Sequence, residues 1–160
     1  MENYQEYGYT SAESTYVHSY IRDPLLSMLD PKKNRSILDL GCGNGALVRT
    51  LLLKGFSAYG TDASHQGIAI ARKSHPDQFA IQDLAKDELP DDFAHIKFDT
   101  VIATEVIEHL YNPGQFISFC RKILKRGPSG GELILSTPYH GYLKNLTIGI
   151  TGNWDNHANP

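Results

Sequence analysis

The segment SILDLGCGNGALV, residues 36–48, restricts this 160-residue chain more than any other stretch. A short apolar run meets an acid, passes through three glycines in five residues, and continues into the helix-like ALVRTLLLKG. Gly41, Gly43 and Ala46 satisfy the G-x-G-x-x-G/A pattern. In that pattern the glycines permit a tight turn and a close backbone approach, and the small third residue lets helix and strand pack together. By itself the pattern equally fits a strand-to-helix turn that holds no ligand.

The strand-then-helix alternation repeats. SAYGTD (57–62) reads as a strand, and SHQGIAIARKS (64–74) as a helix opened by Ser64 and closed before Pro76. QFAIQDL (78–84) reads as a third strand and FDTVIAT (98–104) as an apolar fourth. A helix with Pro113 near its first position follows, spacing Phe116, Phe119, Cys120, Ile123 and Leu124 along one face, and GELILSTP (131–138) supplies the fifth strand. Lys54 and Gly55 mark the end of the helix after the glycine loop. Strands alternating with helices imply a doubly wound α/β fold with a parallel sheet covered on both faces, for which the strand order 3-2-1-4-5 is expected. Ahead of it, YVHSYIRDPLLSMLD (16–30) suits two helical pieces parted at Pro24.

The chain is expected to form one domain: a leader of helices over 1–35, a core over 36–138 and a tail over 139–160. The tail shows neither a strand pair nor a long helix, which leaves open that the sequence is a piece of a longer protein. A net charge of −3 offers no basic footprint, so nucleic acid is not an expected partner. No apolar stretch reaches the roughly 20 residues needed to span a bilayer, and the opening lacks a signal-peptide pattern, so a cytoplasmic location is expected. Cys42 and Cys120 lie far apart without metal-type spacing and read as reduced thiols.

Ligands of such sheets bind beyond the carboxyl ends of the strands, which here carry Asp39, Asp62, Asp83 and Thr104. Asp39, two residues before the first glycine, decides between ligands. Two charges about 4 Å apart interact by roughly 4 kcal/mol at an effective dielectric near 20, so a carboxylate there opposes a pyrophosphate and favours a cation. Asp62 stands about twenty residues after the glycines, where a carboxylate can accept from ribose hydroxyls or else cap the next helix. Asp83 could accept from an exocyclic amine such as that of adenine, or serve as a turn aspartate. A nucleoside with a positive charge and no phosphate fits S-adenosylmethionine.

Residues 36–138 resemble the class I S-adenosylmethionine-dependent methyltransferases. ILDLGCGNG is similar to their first motif, GTDAS to the second-strand acid, IQDL to the adenine-proximal acid, and FDTVIATEVIEHL to the fourth strand. The resemblance implies that the backbone of Gly41, Cys42 and Gly43, beside Asp39, approaches the methionine end of the cofactor. It also implies that Asp62 with Ala63 holds the ribose, Asp83 with Leu84 frames the adenine, and Thr104 and Glu105 line the pocket beside the sulfonium. Tyr16 and His18 are the leader residues that would close over the cofactor, unless the leader tyrosines simply pack against the sheet. The family's sheet usually ends in a further two-stranded hairpin, and no such pair is legible after Pro138.

TEVIEHL holds Glu105, Glu108 and His109, which on a helical turn would share one face. Glu105 and His109 are the acid–base candidates. The same E-x-x-E-H arrangement resembles that of small-RNA ribose methyltransferases and, more loosely, ubiquinone-pathway O-methyltransferases, where a divalent metal positions the acceptor hydroxyl. The small-RNA enzymes draw another histidine from outside this region, for which only His140 or His157 is on hand, so a substrate-facing acidic rim is favoured over a metal. The leading expectation is methyl transfer to an oxygen or carbon nucleophile of a small-molecule acceptor. The alternative is a non-catalytic or incomplete cofactor-binding module, with its fifth strand an exposed edge on which a second copy could pair as a homodimer. A nicotinamide oxidoreductase is a distant third, opposed by Asp39 and by the lack of a substrate domain.

Overall fold

The structure, a computed structural model, describes residues 8, 11, 16–128 and 130–138, with the side chains of 16–19 outside that description. Its elements run α1 (Tyr16–Ser27), β1 (Ser36–Leu40), α2 (Ala46–Leu53), β2 (Ser57–Asp62), α3 (His65–Arg72), β3 (Phe79–Ile81), β4 (Thr100–Thr104), α4 (Pro113–Ile123) and β5 (Glu132–Ser136). The five strands form one parallel sheet ordered β3-β2-β1-β4-β5, the order expected. The expectations for Tyr16 and His18 as lid side chains, and for the tail 139–160, lie outside the described residues.

Side-chain alternation sorts the core into two layers. Ile37, Ala58 and Ile102 pack with Leu25 and Leu29 from α1 and its exit, Val48 and Leu51 from α2, and Ile68 and Ala71 from α3. Leu38, Leu40, Val101 and Ala103 face the other way, onto Phe93, Phe98 and the α4 residues Phe116, Phe119, Cys120 and Ile123. Helices therefore cover both faces, and the central strands β1 and β4 are almost wholly buried while β5 at the edge is half exposed. By the same alternation Asp39, Asp62, Thr104 and Ser136 share the α1–α2 face of the sheet. Both cysteines are free and buried in opposite layers, and burial raises both thiol pKa values, that of Cys120 to about 12.

The helix ends follow the sequence signals. Ser64 caps α3 by accepting from the Gly67 N–H, and Asn112 caps α4 by accepting from the Gln115 N–H. Gly55, at φ +86°, closes α2: its N–H donates to the Leu52 carbonyl, and the Phe56 N–H donates to that of Leu51.

Three elements differ from the sequence reading. First, α1 is one helix that runs through Pro24. An interior proline costs about 3 kcal/mol, which is offset because Leu25 and Leu29 are seated in the core with Ile21 and Leu26 packed beside them. Second, β3 stops at Ile81 instead of continuing to Leu84. Gln82 turns inward, where its Oε1 accepts from the Thr61 hydroxyl at 2.7 Å and its amide donates to the Glu88 carbonyl. Third, TEVIEHL forms no α-helical turn; only Ile107–His109 coil, into a 3-10 turn, because Glu105 takes φ +56° and breaks the chain direction.

Candidate active site

The loop between β1 and α2 is held from below by backbone hydrogen bonds. The N–H groups of Gly41 and Cys42 both donate to the Thr61 carbonyl, at 2.8 and 2.9 Å. Gly41, at φ +78°, sits so close to the segment after β4 that a Cβ there would strike the Val106 side chain. The loop side chains mostly point away from its open side. Cys42 is buried against Gly60, and Asn44, also buried, donates to the Ser11 carbonyl at 2.9 Å and bridges back to the Ala46 N–H.

Two carboxyl groups lie beneath this loop. Asp62, ending β2, accepts from the Gly43 N–H and from the Ser64 N–H, each at 2.7 Å, one bond to each oxygen. It therefore ties the glycine loop to the start of α3, which is the helix-side role of the two that the sequence left as alternatives. Asp39 is 2% exposed, and its Oδ1 has no hydrogen-bond partner among the described residues. Burial, reinforced by the neighbouring Asp62, raises its pKa to about 8. Asp39 is thus not the standing negative charge that the sequence argument assumed. Its carboxyl stays protonated at neutral pH until a cation or donor arrives to favour the ionised form.

Asp83 lies beyond β3 and organises a turn: its Oδ1 accepts from the Ala85 N–H at 3.0 Å, while Leu84 packs on the α4-side layer. Ala63, between Asp62 and the Ser64 cap, is half-buried, and Thr104 at the end of β4 is 9% exposed. These residues do gather along the carboxyl edge of the sheet, with β2 and β3 paired through Asp62 and Ile81.

The metal donor set does not form. Glu105 turns to β5, where its Oε1 accepts from the Ser136 hydroxyl at 2.7 Å, whereas Glu108 and His109 ride an exposed 3-10 turn. The one-face argument required an α-helix from Glu105 onward, and the positive φ of that residue removes it. Among the described residues no group of three or more histidine, cysteine, aspartate or glutamate side chains could hold a metal ion.

A cavity of about 30 Å³ opens between α1, α2 and the end of β4, lined by Ile21, Arg22, Leu25, Ala46, Leu47, Thr50 and Thr104. Sequence reasoning missed Arg22 and Thr50 here, because helical spacing shows which residues share a helix face but not which helices meet. It also missed Asn44 and Ser136. Ser136 carried a usable signal: it is the polar residue ending the fifth strand, the position already weighed on each of the other four.

Relatives fit this architecture. A ubiquinone biosynthesis O-methyltransferase of Caulobacter vibrioides is 33% identical over 125 residues, covering 68% of this chain and 47% of that protein. Among solved structures, an S-adenosylmethionine-dependent methyltransferase from Mesorhizobium loti is 28% identical with a TM-score of 0.61, covering 73% of this chain and 53% of that one. The magnesium protoporphyrin IX methyltransferase of Synechocystis PCC 6803, 24% identical, shares the fold with a TM-score of 0.66 over 91% of this chain and 70% of its own. The chain spans about half the length of the curated relatives it matches. The methyltransferase-domain family matches residues 14–153, and the chain belongs to it, as a class I S-adenosylmethionine-dependent methyltransferase domain.

Proposed function

We propose that this chain is the cofactor-binding core of an enzyme that transfers a methyl group from S-adenosylmethionine to an oxygen or carbon nucleophile of a small-molecule acceptor. The observation that carries this reading is the Asp39–Asp62 pair beneath the glycine loop. A buried acceptor without a partner among the described residues suits an ammonium, and the Asp62 carboxylate beside it suits ribose hydroxyls and opposes a phosphate. The residues fit the cofactor on three counts. Asp39 Oδ1, without a partner among the described residues, offers an acceptor to the methionine ammonium. The Asp62 carboxylate stands beside it on the same sheet face as the acceptor for the ribose hydroxyls, and Asp83 has a second oxygen for the adenine amine.

When bound, the sulfonium supplies an electrophilic methyl group. The chain's own residues then act chiefly by placement. The loop backbone and Asp62 fix the nucleoside, and holding two reactants in line can supply much of the rate. Glu105, directly after the end of β4, and His109, on the turn that follows, are the groups we assign to take a proton from the acceptor. Oxygen is favoured as the nucleophile because the Caulobacter vibrioides relative is an O-methyltransferase.

We place residues 1–160 in one unit made of leader, core and tail, working in the cytoplasm on a small acceptor rather than on nucleic acid, with β5 as the edge on which two copies could pair. Among the described residues no helix is long and apolar enough to cross a membrane. Calorimetric titration with S-adenosylhomocysteine and with NADH tests the reading. Binding of the homocysteine nucleoside is expected, and binding of NADH alone would overturn it.

A further inference from the structure

Glu105 is the one non-glycine residue with a positive φ among those described, and it follows directly on the strand end where the cavity opens. A side chain in that conformation persists only where its surroundings impose it. Here β5 does so twice: the Glu105 N–H donates to the Ser136 carbonyl at 3.1 Å, and the Ser136 hydroxyl donates to Glu105 Oε1 at 2.7 Å. Ser136 stands in register with Thr104, which lines the cavity, and both lie on the sheet face that carries Asp39 and Asp62. The next residue, Val106, rests against Gly41 of the cofactor loop. The strained residue is thus pinned where the ends of β4 and β5 meet that loop, and its Oε2 has no partner among the described residues.

We propose that Ser136 is a positioning residue that holds the Glu105 carboxylate toward the reacting end of the bound nucleoside, so that the site prefers a ligand positively charged there over a neutral one. The inference rests on the reading of the pocket as an S-adenosylmethionine site. Its consequence is discrimination between substrate and product: the sulfonium is cationic, the thioether left after transfer is neutral, and a fixed carboxylate oxygen favours the first. A serine that merely tied β5 to the segment after β4 would affect both ligands alike.

The test needs no acceptor. S-adenosylhomocysteine and sinefungin, which carries an amine where the transferred methyl would sit, are titrated calorimetrically at neutral pH into the full chain and its variants. The wild type should bind sinefungin roughly tenfold more tightly, the scale of a hydrogen bond to a charged group. Ser136→Ala should cut that ratio severalfold while leaving affinity for S-adenosylhomocysteine unchanged, Ser136→Thr should restore it, and Glu105→Gln should abolish it. Glu105→Gln keeps an oxygen to accept from Ser136, so it remains informative should Ser136→Ala fail to fold. An unchanged ratio in Ser136→Ala, or equal weakening of both ligands, overturns the proposal. A wild type that binds NADH and neither nucleoside overturns the underlying reading instead.

Discussion

The two halves of the carboxyl edge are built differently. Between β1 and β2 the backbone does the work: glycines at positive φ carry the loop, and Asp62 ties two backbone N–H groups with its two oxygens. Between β4 and β5 a side chain does it, because Glu105 occupies the kind of conformation that glycine fills on the other side and is held there by Ser136. A glycine loop presents amide groups and space to a ligand; a pinned glutamate presents charge. The first half is suited to holding a ligand of fixed shape, and the second to sensing what sits at its reactive end.

The largest effect should come from the loop. Gly45 has φ +78°, and a Cβ there would lie 2.6 Å from the Phe79 ring and 2.9 Å from Ala71. Gly45→Ala combines overpacking with left-handed strain, for an expected loss of roughly 2 to 5 kcal/mol in urea unfolding. A loss below about 1 kcal/mol would mean that this half yields as readily as the other.

Next in size is the pH dependence set by Asp39. Its carboxyl is held protonated up to about pH 8 in the folded chain and ionises near 3.8 when unfolded. The native state therefore binds the extra proton between those values, and stability falls as pH rises through them. Between pH 6 and 8 the group should remove roughly 2 kcal/mol, and Asp39→Asn should flatten that slope in unfolding measured across the range. A ligand ammonium that ionises Asp39 should release a proton on binding, visible as a dependence of the calorimetric heat on the buffer's ionisation enthalpy. No such release would leave Asp39 without a role toward the ligand.

The contrast between halves also explains what could be read from the chain. The β1–β2 half was legible because its geometry is dictated by residue type: glycine where φ is positive, Ser64 as a cap, an acid ending the strand. That the sheet is parallel and covered on both faces followed from strand–helix alternation and the preference for right-handed crossovers. The β4–β5 half was misread because glutamate gives no sign of a positive φ, and the contact that imposes it joins residues 31 apart in sequence. Pro24 misled for a similar reason, since the core contacts of Leu25 and Leu29 outweigh a local helix-breaking tendency.

Asp62 tests how far the backbone half depends on one side chain. Asp62→Ala leaves the Gly43 and Ser64 N–H groups without their carboxylate and removes the proposed ribose acceptor. Affinity for S-adenosylhomocysteine should fall by about 1 to 2 kcal/mol, roughly five- to thirtyfold. Asp83→Ala, which removes a single turn contact made in an exposed segment, should lose less. Equal losses would break the assignment of ribose to one acid and adenine to the other.

The smallest effect separates strain from contact in the β4–β5 half. Glu105→Gly and Glu105→Ala both delete the carboxylate that accepts from Ser136, so both lose the same hydrogen bond. They differ in what the backbone requires: glycine adopts φ +56° freely, whereas alanine meets the same clash of Cβ with its carbonyl that glutamate does. If β5 holds the segment in place through the Glu105 N–H and the Ser136 carbonyl alone, glycine should be the more stable of the two by about 1 kcal/mol in urea unfolding. That difference would survive the entropy glycine gains in the unfolded chain only because the left-handed conformation is retained. Equal stabilities would mean that the backbone relaxes once the carboxylate is gone. The side chain would then set the conformation at the end of β4, and the two halves would differ in cause as well as in composition.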